Sequence, residues 1–201
     1  MIEQLEEIDR WLVLAINSWN TPFLDELMWI ISGKLTWIPL YVLLVYLGFR
    51  KLPFKQFLLY FFCVVGSVAL ADAISSGLIK EMVMRYRPSH HLLLKDQLHF
   101  YEESHGHFYT GGMFGFVSSH AANFFALAFS AGMIMKHFYP QLLKILLIIA
   151  VIVCFSRVYL GVHYLSDLLG GALIGTATSL LIYYFVYLKL VKKATDKTNE
   201  Y

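Results

Sequence analysis

Between Lys55 and Lys80 the only charged side chain is Asp72, and the runs Leu142–Phe155 and Leu165–Leu188 carry one charge each, Lys144 and Asp167. Runs of this length and polarity ask for a bilayer. In hydrocarbon every backbone N–H and C=O must find its partner inside the protein, and a helix of roughly 20 residues does so while crossing. Overall, 15% of residues are charged, 58% are hydrophobic and the mean hydropathy is +0.60. A soluble domain carries about 25% charged residues. The fold class expected is all-α: a polytopic membrane helical bundle of five to six transmembrane helices with an N-terminal amphipathic helix, forming a single domain over residues 1–201.

Five spans are expected: about Leu35–Phe49, Phe54–Ile79, Ser119–Met135, Leu142–Phe155 and Leu165–Leu188. The first is short, with Trp37 and Tyr46 placed for the interfaces. Residues 1–34 read as interfacial or broken helices. Ile2, Leu5, Ile8, Leu12 and Ile16 share one face of a helix over 2–19, and Pro22 suits a new helix start. Whether residues 4–32 make a sixth, broken span is left open. Met1–Arg10 is acidic, the opposite of a signal peptide's basic start, so no cleavable leader is expected. Cys63 and Cys154 lie inside apolar runs and read as packing thiols.

Orientation follows from lysine and arginine. Nine of the sixteen cations (Arg50, Lys51, Lys55, Lys136, Lys144, Lys189, Lys192, Lys193, Lys197) fall on one side. That side, with the tail 189–201, is expected in the cytoplasm. The opposite, extracytoplasmic side holds the longest polar segment, residues 84–118, with His90, His91, His99, His105 and His107. A loop this long reads as a functional lid, a binding loop or a disordered segment. Its histidines, His105-Gly-His107 included, form only a weak metal motif.

Three polar clusters share that outer face. Lys80 and Arg87 are seven apart, two helical turns, with Pro88 expected to stop the helix just beyond them. Ser118-Ser119 before an apolar run is an N-cap signature, and a helix start offers free N–H groups to an anion. His120 follows in the first turn. His163 and Asp167, at i,i+4, share a helix face, so the carboxylate can hold Nδ1 and leave Nε2 free. Arg157 supplies a planar donor fork suited to phosphate. Read singly, each cluster has a bland counterpart: headgroup anchoring, a helix cap, a snorkelling arginine. Together they are a kit for phosphoryl transfer, in which fixed cations stabilise charge spread over the equatorial oxygens. Residue chemistry alone leaves open which histidine attacks.

The order Lys-x6-Arg-Pro, Ser-x-His, Ser-Arg-x5-His-x3-Asp resembles the type 2 phosphatidic acid phosphatase (PAP2) family. The first and third motifs match at full spacing through Lys80, Arg87 and Pro88, and Ser156, Arg157, His163 and Asp167. The second departs: the family's usual Pro-Ser-Gly-His is Val117-Ser118-Ser119-His120 here. The resemblance implies a metal-independent lipid phosphatase with His163 as nucleophile, forming a phosphohistidine. Asp167 would orient His163, and His120 would protonate the leaving group and then activate water. Lys80, Arg87, Arg157, Ser118 and Ser119 would bind the phosphate. No metal or cofactor is implied. The expected partner is a lipid phosphate within the bilayer of a bacterial inner membrane, with the site on the periplasmic side; no nucleic-acid partner is expected, and the oligomeric state is left open. Candidate lipids are undecaprenyl diphosphate or lipid A phosphate, then phosphatidylglycerol phosphate and phosphatidic acid. A lipid phosphotransferase using the same site, and a non-catalytic lipid-phosphate binding or transport protein, are the alternatives; a haloperoxidase, from the family's soluble branch, does not fit a membrane chain. Asp72 is expected to pair with a cation or with Asn123, Ser156 to bind phosphate or cap a helix, and Gly171 and Gly175 to serve helix packing.

Overall fold

A computed structural model of the chain describes residues 2–192; the tail lysines Lys193 and Lys197 lie outside the described residues. Helix α1 (Ile2–Asn17) leads to α2 (Pro22–Ser32), which Thr21 caps by accepting from Leu24 N at 3.2 Å. A tight turn at Leu35–Trp37 opens α3 (Ile38–Lys51), bent 69° from α2. Helix α4 (Phe54–Asp72) runs through a widened π-helical stretch, Ala73–Ile79, into the short α5 (Lys80–Val83). Then come α6 (Ser119–Met135), α7 (Leu142–Tyr159) and α8 (Leu165–Ile182).

Among the described residues, three continuous helical stretches are long and apolar enough to cross a membrane: Phe54–Val83, Leu142–Tyr159 and Leu165–Lys192. The bent α2–α3 pair makes a fourth if it counts as one span, and α6 is a shorter apolar helix. Large apolar side chains such as Leu43, Phe62, Ile148, Leu173 and Phe185 point outward on these helices. Exposed apolar surface on this scale marks a membrane-facing protein.

Helix α6 is the hub, packed against α4, α7 and α8. Its composition explains this. Ala121, Ala122, Ala126, Ala128, Ala131 and Gly132 let neighbouring backbones come close. A Cβ at Gly171 or Gly175 of α8 would run into the carbonyl oxygens of Ser118 or Ala122. The small-residue pair is therefore an intrachain packing device, as expected. Hydroxyls buried in lipid-facing helices are satisfied by their own backbone: Ser67 donates to Cys63 O, Ser130 to Ala126 O and Thr178 to Ile174 O. Cys63 and Cys154 are buried free thiols.

On α1 burial does not follow polarity: Glu3, Glu6 and Glu7 are exposed, and so are several large apolar side chains. Asp9, Val13 and Asn17 are buried against the body, while Leu5, Ile8 and Trp11 face outward. Asn17 donates to His99 O (2.8 Å) and Tyr159 O (2.7 Å), and accepts from His99 N (2.8 Å).

Candidate active site

Helix α7 runs to Tyr159, and Gly161 (φ +67) makes the left-handed turn toward α8. His163 stands just before α8, not on it, because Tyr164 at the N-cap is extended. The pairing expected of two residues on one helix face still forms, by a different route. Asp167 sits in the first turn of α8, and its Oδ2 accepts from Tyr164 N at 3.0 Å and from His163 Nδ1 at 3.2 Å. Both side chains are buried, at 1% and 0% exposure. With Nδ1 given to the carboxylate, Nε2 keeps its lone pair. Burial first, then the charges of Arg87, Arg157 and Lys80, hold the imidazole well below the ordinary histidine pKa.

The three expected cations converge on this imidazole, but Arg87 arrives differently from the sequence reading. Its helix stops at Val83, where Met84 turns left-handed (φ 47). The chain then runs extended, with Tyr86 bridged to Phe114, so Lys80 and Arg87 do not share a two-turn helical face. Arg87 Nε donates to Phe114 O (3.0 Å) and Nη1 to Val162 O (3.3 Å). Burial and the neighbouring Arg157 charge push its pKa down to about 10. Arg157 donates to Ser32 Oγ and to Tyr109 Oη (2.7 Å), while its buried Nε has no partner among the described residues. None of Lys80, Arg87 and Arg157 forms an ion pair with a carboxylate among the described residues. Clustered cations left unpaired make a site that favours an anion.

Ser118 precedes α6, ties its N–H to Asp167 O at 2.9 Å, and keeps its buried hydroxyl without a partner among the described residues. Ser119 and His120 open α6 and line a cavity; His120 lies in the field of Arg157, His163, Lys34 and Arg87. Ser156, in contrast, turns back to Val153 O at 2.7 Å inside α7. Two loop glycines make room for Arg87. A Cβ at Gly111 would lie 2.7 Å from its Nη1, and one at Gly115 would lie 3.2 Å from its Cγ and 2.8 Å from Asp167 Oδ2.

Sequence reasoning missed Tyr109, which supports Arg157, and two further residues, Arg85 and Asp9. Arg85 Nη1 donates to Asp167 Oδ1 (3.1 Å) and Nη2 to Asp9 Oδ2 (3.0 Å), with the guanidinium 4.3 Å from the Tyr164 ring centre. Asp9 also accepts from Ser166 N (3.0 Å) and Ser166 Oγ. An acid on an amphipathic helix reads as a solvated face; the only clue was that Asp9 falls in register with Val13 and Asn17.

The long polar segment is folded, not open. A hairpin pairs β1 (Glu102–Ser104) with β2 (His107–Phe108), and the segment lies on α2 through Trp29, stacked on Tyr101 and edge-on to Tyr109. His99 Nε2 meets Asp25 Oδ2 at 2.9 Å. Among the described residues no group of three or more His, Cys, Asp or Glu is placed to hold a metal.

Beside His120 a cavity of about 610 Å³ opens between α3, α4 and α6. Its polar end carries Lys34, Asp72, Ser119, His120 and Asn123, and its length is apolar, from Tyr41 and Leu44 to Val64, Val68 and Leu127. Asn123 Nδ2 donates to Asp72 Oδ1 at 2.9 Å, one of the two pairings expected of this acid.

An apolar helical bundle with histidines and unpaired cations gathered at one end of its helices has the make-up of a membrane-embedded phosphatase. The PAP2 superfamily model matches residues 56–190, and the chain belongs to that superfamily. A lipid A 4'-phosphatase of Porphyromonas gingivalis is 33% identical over 187 residues, covering 92% of this chain and 74% of the relative. One of Bacteroides thetaiotaomicron is 32% identical over 200 residues, covering 98% and 85%. Two crystal structures share the fold. The transmembrane PAP2 type phosphatidylglycerolphosphate phosphatase of Bacillus subtilis aligns with TM-score 0.66 at 24% identity, covering 90% of this chain and 86% of that one. LpxE of Aquifex aeolicus aligns with TM-score 0.60 at 21% identity, covering 90% and 95%. The protein is an integral membrane phosphoric ester hydrolase of the metal-independent PAP2 type.

Proposed function

We propose that the chain removes a phosphate from lipid A through a phosphohistidine. The observation that carries the chemistry is His163, with Nδ1 held by Asp167 and Nε2 free among three unpaired cations. Nε2 attacks phosphorus as the bond to the leaving sugar oxygen breaks, and His120 gives that oxygen its proton. His120 then takes a proton from water, whose oxygen displaces His163 and releases inorganic phosphate. Lys80, Arg87, Arg157 and the Ser118 hydroxyl hold the equatorial oxygens, and the first-turn backbone N–H at Ser119 adds a donor. The relatives, both described as lipid A 4'-phosphatases, favour lipid A over the other lipid phosphates.

Five crossings fit the geometry: α2–α3, α4–α5, α6, α7 and α8, alternating in direction so that the site residues fall at one set of ends. Helix α1 lies in the interface with Leu5, Ile8 and Trp11 toward lipid. The lysine and arginine bias supports a site on the outer face of the inner membrane, more so once Arg85 is counted among the site residues.

Phosphate release by the purified protein in detergent, with excess chelator, tests this reading across lipid A, undecaprenyl diphosphate, phosphatidylglycerol phosphate and phosphatidic acid. Fastest release from lipid A, lost in His163→Ala, is expected. Preference for another lipid overturns the substrate; equal rates in His163→Ala overturn the mechanism.

A further inference from the structure

Asp72 is a carboxylate inside a membrane-spanning helix, and it is exposed where it lines the cavity beside His120. Acids at such positions are costly and mark function by default. The phosphoryl chemistry described above does not use it. It carries no ion pair among the described residues. Asn123, one turn beyond His120 on α6, fixes its Oδ1 at 2.9 Å. The second oxygen, Oδ2, has no hydrogen bond among the described residues.

We propose that Asp72, held by Asn123, is a subsite for the leaving group, reading hydroxyl or amide N–H donors beside the scissile oxygen. The inference rests on the lipid phosphatase reading and adds what the headgroup must contain. Location gives the assignment to the leaving group. His120 and Asp72 line the same polar cavity end, and the apolar length beyond them suits a hydrocarbon chain. Charge gives the assignment to donors. An ionised carboxylate only accepts, so it binds hydroxyl or N–H and repels a second phosphate. Sugar hydroxyls and an N-acyl amide supply such donors. A polyprenyl alcohol or a diacylglycerol released from its phosphate offers none next to the scissile oxygen. The site therefore selects an acylated amino-sugar phosphate over a plain lipid phosphate.

Asp72→Asn is the informative change. It keeps the size and leaves an oxygen for Asn123, but turns the free acceptor into an NH2 donor facing the ligand's own donors. Binding is measured in a His163→Ala background, so that nothing is turned over, using fluorescence titration in detergent with lipid A and with dipalmitoyl phosphatidic acid. The expected result is a Kd for lipid A about tenfold or more below that for phosphatidic acid, as a charge-assisted hydrogen bond gives, with the preference lost in Asp72→Asn. Equal affinities before the Asp72 change, or an equal weakening of both lipids after it, overturns the subsite. The phosphatase reading fails separately, if protein with His163 intact releases no phosphate from either lipid while the binding preference stands.

Discussion

Asp167 is gripped from two sides by groups far apart in sequence: His163 Nδ1 meets its Oδ2 at 3.2 Å, and Arg85 Nη1 meets its Oδ1 at 3.1 Å. The carboxylate that orients the imidazole is thus itself oriented by an arginine, which Asp9 in turn holds at 3.0 Å. A buried carboxylate deprived of such a partner costs several kcal/mol or moves.

Arg85→Ala should therefore lower kcat by roughly a hundredfold, the order of loss that accompanies a small displacement of a reacting group. KM should change far less, because Arg85 is not among the cations proposed to bind phosphate. Asp9→Asn should give the same pattern in milder form. A loss confined to KM would place Arg85 on the substrate instead.

The two histidines separate by leaving group. His120→Ala should slow release from an alkyl or sugar phosphate by about 10²–10⁴-fold. A substrate with a good leaving group, such as a nitrophenyl phosphate, should restore the first step as a burst of nitrophenol, since that step needs no proton, while turnover stays limited by hydrolysis of the phosphohistidine. His163→Ala should stay inactive with both. Restored activity in His163→Ala would assign the nucleophile elsewhere.

In the proposed mechanism, protonation of His163 sets the acid limb of kcat/KM. Nε2 attacks only when neutral, and its depressed pKa keeps it neutral to lower pH than a histidine at about 6.5. The acid limb should lie below that value. Lys80→Gln removes one of the charges that depress the pKa, so the limb should move toward higher pH. A limb that stays fixed would detach it from His163.

Tyr109 supports Arg157 through its hydroxyl at 2.7 Å and its ring, 5.5 Å from the guanidinium. Tyr109→Phe removes one hydrogen bond from a cation proposed to bind phosphate, which should raise KM by about 2–10-fold. Steady-state kinetics with saturating detergent checks it.

Gly175 of α8 has no room for a side chain against the α6 backbone, whereas the nearest atom to a Cβ at Gly66 would be 3.8 Å away. Gly175→Val should destabilise the bundle by at least about 1–3 kcal/mol, the usual cost of overpacking. Gly66→Ala should melt like the parent protein in a thermal scan.

The six charged and imidazole groups that gather at the site were legible because each sits where an apolar run breaks, and uncompensated polarity there is expensive. Asp9, Arg85 and Tyr109 were not. Their partners are 157, 82 and 48 residues away in the chain, a relation no local pattern encodes. The end of the helix after Lys80 was misplaced for a related reason. Pro88 gave a visible stop, while the left-handed residue that ends the helix is Met84, a type that carries no turn signal. The bundle was legible in its apolar runs, yet α6 became the hub through its alanines, which read from sequence as merely apolar.

The clasp between Asp9 and Ser166 joins α1 to α8. A ribosome makes these two residues far apart in time. Until α8 has entered the bilayer, Asp9 has no serine to accept from, Arg85 has only one of its two acids, and the His163–Asp167 pair is absent. On the proposed mechanism the nascent protein is therefore inert toward the lipids around it until α8 is seated.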